Sequence, residues 1–166
     1  MTAITRRTIK IIAAIFAVFA MIATASAQER APEIYMDSGG VFGRAWDYAV
    51  GGVDVVAYRS LEEGAAPVQG TDEFTTEYKG VSWRFASQEN LDAFVGNPDY
   101  YRPEYGGYCA WAVAEGKLAK GDPRHWHIHN DKLYLNVSAG IKRRWLRDLG
   151  GYLEKSERNW PGVLER

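Results

Sequence analysis

Apolar and polar positions divide the chain near residue 27. Every residue from Ile11 to Ala23 is apolar, Arg6, Arg7 and Lys10 precede this run, and Ala25-Ser26-Ala27 follows it. A basic start, a short apolar stretch and a small-residue site predict a cleaved secretory leader over 1–27, with Gln28 the first mature residue. The run is too short for a comfortable membrane span, and no stop-transfer charge cluster follows it. Residues 28–45 are polar, with Pro32 and Gly39-Gly40, and predict an N-terminal tether or loosely docked arm. The domain proper is expected over 46–166.

Within that domain the pattern alternates between strand and helix periods. Val53 to Tyr58 is apolar and β-branched, which predicts a strand. Phe74–Tyr78 and Val81–Phe85 alternate and meet at Lys79-Gly80, predicting a hairpin with Val81, Trp83 and Phe85 on its core face. Ser87 reads as the N-cap of a helix carrying Leu91 and Phe94, stopped at Asn97-Pro98. Gly106-Gly107 precedes a short helix over 108–114, ended near Gly116. His125–His129 and Lys132–Val137 predict a second hairpin through Asn130-Asp131. Ser138 caps a C-terminal helix bearing Ile141, Trp145 and Leu146, interrupted at Gly150-Gly151 and stopped by Pro161. No internal repeat is evident. Strands and helices without regular alternation predict a small single α+β domain.

Composition narrows the classes of function. The chain has 166 residues, so the part after the leader suits one domain. Losing the leader, with its three basic residues and no acidic one, takes the formal charge from −1 to −4. No basic block points to nucleic acid, and Lys142-Arg143-Arg144 reads as a solvated helix face. All six tryptophans and all ten tyrosines follow the leader, which argues for a packed domain. Thr5-Arg6-Arg7-Thr8-Ile9-Lys10 fits a twin-arginine signal, the route that carries folded and often cofactor-loaded proteins, as well as an ordinary one. Either route leads to a periplasmic or secreted protein. There the single cysteine, Cys109, has no partner in the chain for a disulfide.

Several segments resemble YHS-domain proteins. Gly52-Val53-Asp54-Val55-Val56-Ala57-Tyr58 is similar to their opening, and Tyr78-Lys79-Gly80-Val81-Ser82-Trp83-Arg84-Phe85-Ala86-Ser87 to their central hairpin and helix start. Tyr105-Gly106-Gly107-Tyr108-Cys109-Ala110, Gly121-Asp122-Pro123, Lys132-Leu133-Tyr134-Leu135-Asn136 and Asn159-Trp160-Pro161 resemble the exported bacterial branch. The resemblance covers about residues 50–161 and implies a compact α+β domain with a treble-clef-like hairpin and helix. It also implies an association with metal handling or assembly. Metal-binding relatives place cysteines where this chain has Ala57, Ala86 and Asn90, so their thiolate site does not carry over.

The candidate ligands are therefore this chain's own. His125, His127 and His129 would project from one strand face, with Trp126 and Ile128 opposite. Neighbours on that face stand about 7 Å apart, so two imidazoles can converge on an ion more readily than three in a flat row. Imidazole suits copper, zinc or nickel, and adding a Cys109 thiolate would favour copper or zinc. Cys109 reads otherwise as an inert core residue. Asp54 is a further candidate ligand or a buried acceptor holding the Tyr58 loop or a helix start. Met36 is a possible soft ligand in the arm, and Asp122 reads as a turn residue. No hydrolase, nucleotide-binding or zinc-protease motif is present. The expected function is a non-enzymatic exported domain binding a transition metal or small ligand. A protein-interaction module that has lost its metal site, and a small Cys109-dependent redox or hydrolytic enzyme, are the alternatives.

Overall fold

The computed structural model describes residues 30–36 and 48–165. The segment expected to be a leader, and with it the expected export route, Gly39-Gly40 and Trp46 lie outside the described residues. The described chain is a small α+β domain of two antiparallel hairpins and several helices. Strand β1 (Thr71–Tyr78) pairs with β2 (Val81–Phe85), and β3 (Asp122–His129) with β4 (Lys132–Asn136). Helices α1 (Gln88–Gly96) and α2 (Pro98–Tyr101) follow the first hairpin. A short α3 (Ala110–Ala114) precedes the second, and α4 (Ala139–Leu146) and α5 (Leu149–Asn159) follow it.

Both hairpins form where turn chemistry permits them. Lys79 and Gly80 have φ of 54° and 72°, and Asn130 and Asp131 of 48° and 57°. Two consecutive left-handed residues give the turn whose twist matches paired strands. Ser87 accepts from the Asn90 N–H and Ser138 from the Ile141 N–H, so each serine caps its helix as expected.

The hairpins are one design used twice, contrary to the expectation of no repeat. Each boundary recurs 51 residues on: Thr71 with Asp122, Tyr78 with His129, Val81 with Lys132, Phe85 with Asn136, and Ser87 with Ser138. The registers slip at matching places, between Thr71 and Thr75 and between Asp122 and Trp126. Gly70 and Gly121 occupy equivalent positions, and a Cβ on either would collide with the facing strand, 2.5 Å from Arg84 Cβ or 2.7 Å from Leu135 Cβ. Val53 bridges to Gln69 just before β1, and Tyr108 to Lys120 just before β3.

Three expectations are corrected. Val53–Tyr58 is not a strand. Val53 makes a single bridge, and the chain then turns through a 3-10 segment at Ala57–Ser60. The Asp54 carboxylate takes the Val56 and Ala57 N–H groups at 2.9 and 3.1 Å, and this local bonding overrides β propensity. The packed domain also begins before residue 46. Ile34 is buried in the core, Ala31 N–H donates to the Leu164 carbonyl, and Tyr35 N–H to the Gly106 carbonyl. Gly106 permits this approach, because a Cβ there would overlap the Glu33 carbonyl. Lastly, the C-terminal helix breaks at Arg147-Asp148, and Gly150-Gly151 fall inside the first turn of α5, where Asp148 accepts from the Gly151 N–H.

Two apolar clusters fill the interior. One gathers Val53, Val55, Trp83, Phe85, Phe94 and Trp126, and the other Tyr105, Tyr108, Val113, Tyr134, Trp145 and Leu164. Strand β4 serves both, sending Leu133 and Leu135 into the first and Tyr134 into the second. Among the described residues no helix is long and apolar enough to cross a membrane.

Candidate functional site

A cleft of about 260 Å³ opens where the two hairpin units meet. The first unit supplies Val50, Gly51, Val53, Pro67 and Gln69, and the second Lys120 through Arg124. Tyr35, from the docked arm, closes one side. Gln69 and Lys120 are equivalent residues of the two units, so the cleft lies on their junction.

Unusual backbone builds its wall. Val50, Gly51 and Gly52 have φ of 55°, 69° and 75°. Glycine adopts such angles freely, but a β-branched valine there is strained by about 1–3 kcal/mol. The strained turn is held by Val50 N–H donating to the Tyr35 carbonyl and Gly70 N–H to the Gly52 carbonyl. On the other wall Pro123 has no N–H for the strand ladder, which fits the irregular start of β3. The Tyr58 hydroxyl donates to the Pro123 carbonyl at 2.9 Å and fixes that wall to the first unit. Asp122 accepts from Arg124 Nη2 at 2.6 Å, from Nε at 3.0 Å and from the Arg124 N–H at 2.9 Å. The Arg124 side chain holds the Asp122 carboxyl below its ordinary range.

The five predicted ligands are not gathered in one place. Asp54 is 0 % exposed and takes four donors: the N–H groups of Val56, Ala57 and Ala86, and Asn90 Nδ2 at 2.7 Å. It thus joins the Tyr58 loop, the end of β2 and the start of α1. Cys109 is also 0 % exposed, with Sγ 3.6 Å from Asn136 Oδ1, and burial pushes its thiol pKa up. Asn136 Oδ1 accepts the Trp111 N–H at 3.3 Å as well.

His125, His127 and His129 lie in β3, and Trp126 and Ile128 lie in or against the first core. His127 stands edge-on to Trp145 and places Nδ1 3.2 Å from Glu63 Oε1. Lys142 also bonds that Glu63 oxygen. Partial burial works to raise the Glu63 carboxyl, but the bonds from Lys142 and His127 outweigh it and hold the group below its ordinary value. His125 falls in the slipped register between Asp122 and Trp126, so only His127 and His129 keep regular strand pairing. Among the described residues no three His, Cys, Asp or Glu side chains are grouped to hold a metal. Met36 bridges to Ala49 in the docked arm.

The cleft was not visible in the sequence. Its available signals were Val50-Gly51-Gly52 and the recurrence of a glycine before each long strand. Comparison of the chain with family models, with curated proteins and with solved structures found no match.

Proposed function

We propose that this chain is an exported, non-enzymatic binding domain whose ligand is a small molecule seated in the cleft between the two hairpin units. The observation that carries the reading is the strained Val50 turn forming the wall of that cleft. A protein keeps an unfavourable backbone where the surroundings over-determine it, and such places cluster at ligand clamps. Rigid strands and the docked arm hold the cleft's walls, which suits recognition by a preformed concavity.

Asp54 supports a site distinct from a thiolate metal centre. Ala57, Ala86 and Asn90, where metal-binding relatives of the resembled YHS family carry cysteines, all donate to its carboxylate. On this reading a treble-clef-like hairpin and helix is retained, with a carboxylate and its donors in place of the ion. Metal handling is the second reading, favoured by the nearness of Glu63 to His127. Copper or zinc is the ion it would take.

The test is a titration of the full chain with a library of small neutral and charged fragments, followed by amide NMR. The expected result is a set of shifts confined to Val50–Val53 and Lys120–Arg124. Parallel dialysis against copper or zinc is expected to show no stoichiometric uptake. One bound ion per chain, lost in the His125→Ala, His127→Ala, His129→Ala triple variant, together with silence at the cleft, would sink the small-molecule reading.

A further inference from the structure

We infer that the outward face of α4 docks on an anionic lipid bilayer through Arg143, Arg144 and Arg147; the inference is independent of the ligand proposed for the cleft. Helix α4 buries Trp145 completely, and its opposite face is left to solvent. At about 100° per residue, the three arginines fall within about 100° of arc on that face, with Gly140 among them. All four residues are exposed. Among the described residues none of the three guanidiniums pairs with a carboxylate. Arg144 lies over the Trp111 ring, 5.4 Å from its centre, which leaves its charge in place. Lys142 drops out of the count because it bonds to Glu63. One carboxylate adjoins the face, Asp148, which accepts the Gly151 N–H at the start of α5. Three cations against that one carboxylate make the face positive, on a chain whose formal charge is −1.

The shape of the face selects among anionic partners. A shallow groove of about 560 Å³ runs along it, lined by Gly140, Arg143, Leu146 and Arg147. Every lining residue belongs to α4 or directly follows it, so the groove has no second wall. A small ligand needs a concave site that encloses it. A stable protein interface takes about 20–30 residues a side, far more than one eight-residue helix presents. A bilayer surface is flat and asks for neither. It offers closely spaced phosphates, which guanidiniums bind through paired hydrogen bonds. It also offers hydrocarbon just beneath them. Val137 and Leu146, both exposed, stand at the two ends of α4 to meet it. A helix that buries one face in its own domain and shows arginine and leucine on the other suits attachment in the plane of the interface. Each arginine near such a surface strengthens binding about fivefold, so three of them give a weak and reversible attachment.

The test is sedimentation of the chain with lipid vesicles. The chain starts at Gln28, its expected mature form, so that the apolar run from Ile11 to Ala23 does not itself enter the bilayer. Vesicles of phosphatidylglycerol and phosphatidylcholine in equal parts should carry the protein down at low salt. They should release it at 1 M salt, where the screening length falls to about 3 Å. Vesicles of phosphatidylcholine alone should bind at least about tenfold more weakly. The double variant Arg143→Gln, Arg147→Gln should lose about 25-fold in binding to the anionic vesicles, about fivefold for each arginine, without moving the urea midpoint. Equal binding to both kinds of vesicle would overturn the role of charge. Undiminished binding by the double variant would overturn the assignment to α4. Binding of a soluble glutamate-rich peptide at α4, with no sedimentation by vesicles, would give the face to an acidic protein instead. Failure to sediment with either vesicle overturns the inference outright, and none of these outcomes bears on the cleft.

Discussion

Asp54 in the first unit and Asn136 in the second are both 0 % exposed, but they are satisfied to different degrees. Asp54 takes four donors. Asn136 uses its Oδ1 on Trp111 N–H and the Cys109 thiol, while its Nδ2 has no partner among the described residues. A buried carboxylate without donors is far costlier than an amide lacking one bond. The first unit is therefore organised by a polar node that ties a loop, a strand end and a helix start together. Rings pack in both: Trp83 and Phe85 lie 4.9 and 5.0 Å from Phe94 in the first unit, and Tyr105, Tyr134, Trp145 and Trp160 follow one another at 5.3–5.9 Å in the second. The same backbone plan thus carries an aromatic core twice, and only the first unit adds a fully bonded buried carboxylate to it.

The sharpest way to break that comparison is Asp54→Ala. It orphans four donors at once and should cost more than about 3 kcal/mol in urea unfolding, enough to threaten the fold. A loss under about 1 kcal/mol would end the claim that Asp54 organises its unit. Next come Gly70→Ala and Gly121→Ala, the matched close approaches. Each should cost about 2–3 kcal/mol by overpacking, and a neutral result at one alone would show that the units differ there. Asn136→Ala should cost less, about 1–2 kcal/mol, because one orphaned N–H, a weakly donating thiol and a small cavity replace a site that was already incomplete.

Cys109 sharpens the contrast without altering the chain. A thiol reagent should leave the native protein unlabelled and react fully once urea unfolds it. Rapid labelling of the native fold would return Cys109 to consideration as a redox centre or nucleophile. The smallest effect belongs to Glu63→Gln. The folded Glu63 carboxyl lies below its unfolded value, so its contribution is present above the unfolded pKa of about 4.3 and is lost as pH falls through the folded value. The variant should be less stable than wild type near neutrality by no more than about 1 kcal/mol, since the Glu63 carboxylate is half exposed and screened. The two stability curves should converge only as the pH falls below the folded pKa of Glu63, which lies under its unfolded value.

Local chemistry made much of the fold legible in the sequence. Lys79-Gly80, Asn130-Asp131, Ser87 and Ser138 each act within a few residues, and each produced the expected turn or cap. What failed to show depends on partners far along the chain. Val53–Tyr58 has strand composition, and the Asp54 carboxylate that turns it by taking the Val56 and Ala57 N–H groups is itself held by Ala86 and Asn90, more than thirty residues away. The arm looks polar, but Ile34 finds its core only because Gly106 lets Glu33 approach. The duplication was hidden because the two units fill equivalent positions with unlike side chains, Trp83 against Tyr134 and Phe85 against Asn136, while keeping Gly70 with Gly121 and Ser87 with Ser138. The candidate ligands were read from residue type and spacing. Neither shows a slipped register at His125 or a sealed sulfur at Cys109.

Strand β4 has a consequence for how the molecule comes apart. Its alternate side chains belong to different cores, so neither core can open while the other keeps its packing intact. The two units, alike as they are in backbone, should not behave as independent beads on a string. They should melt in a single cooperative step, with the amides of Leu133 to Leu135 among the last to exchange with solvent.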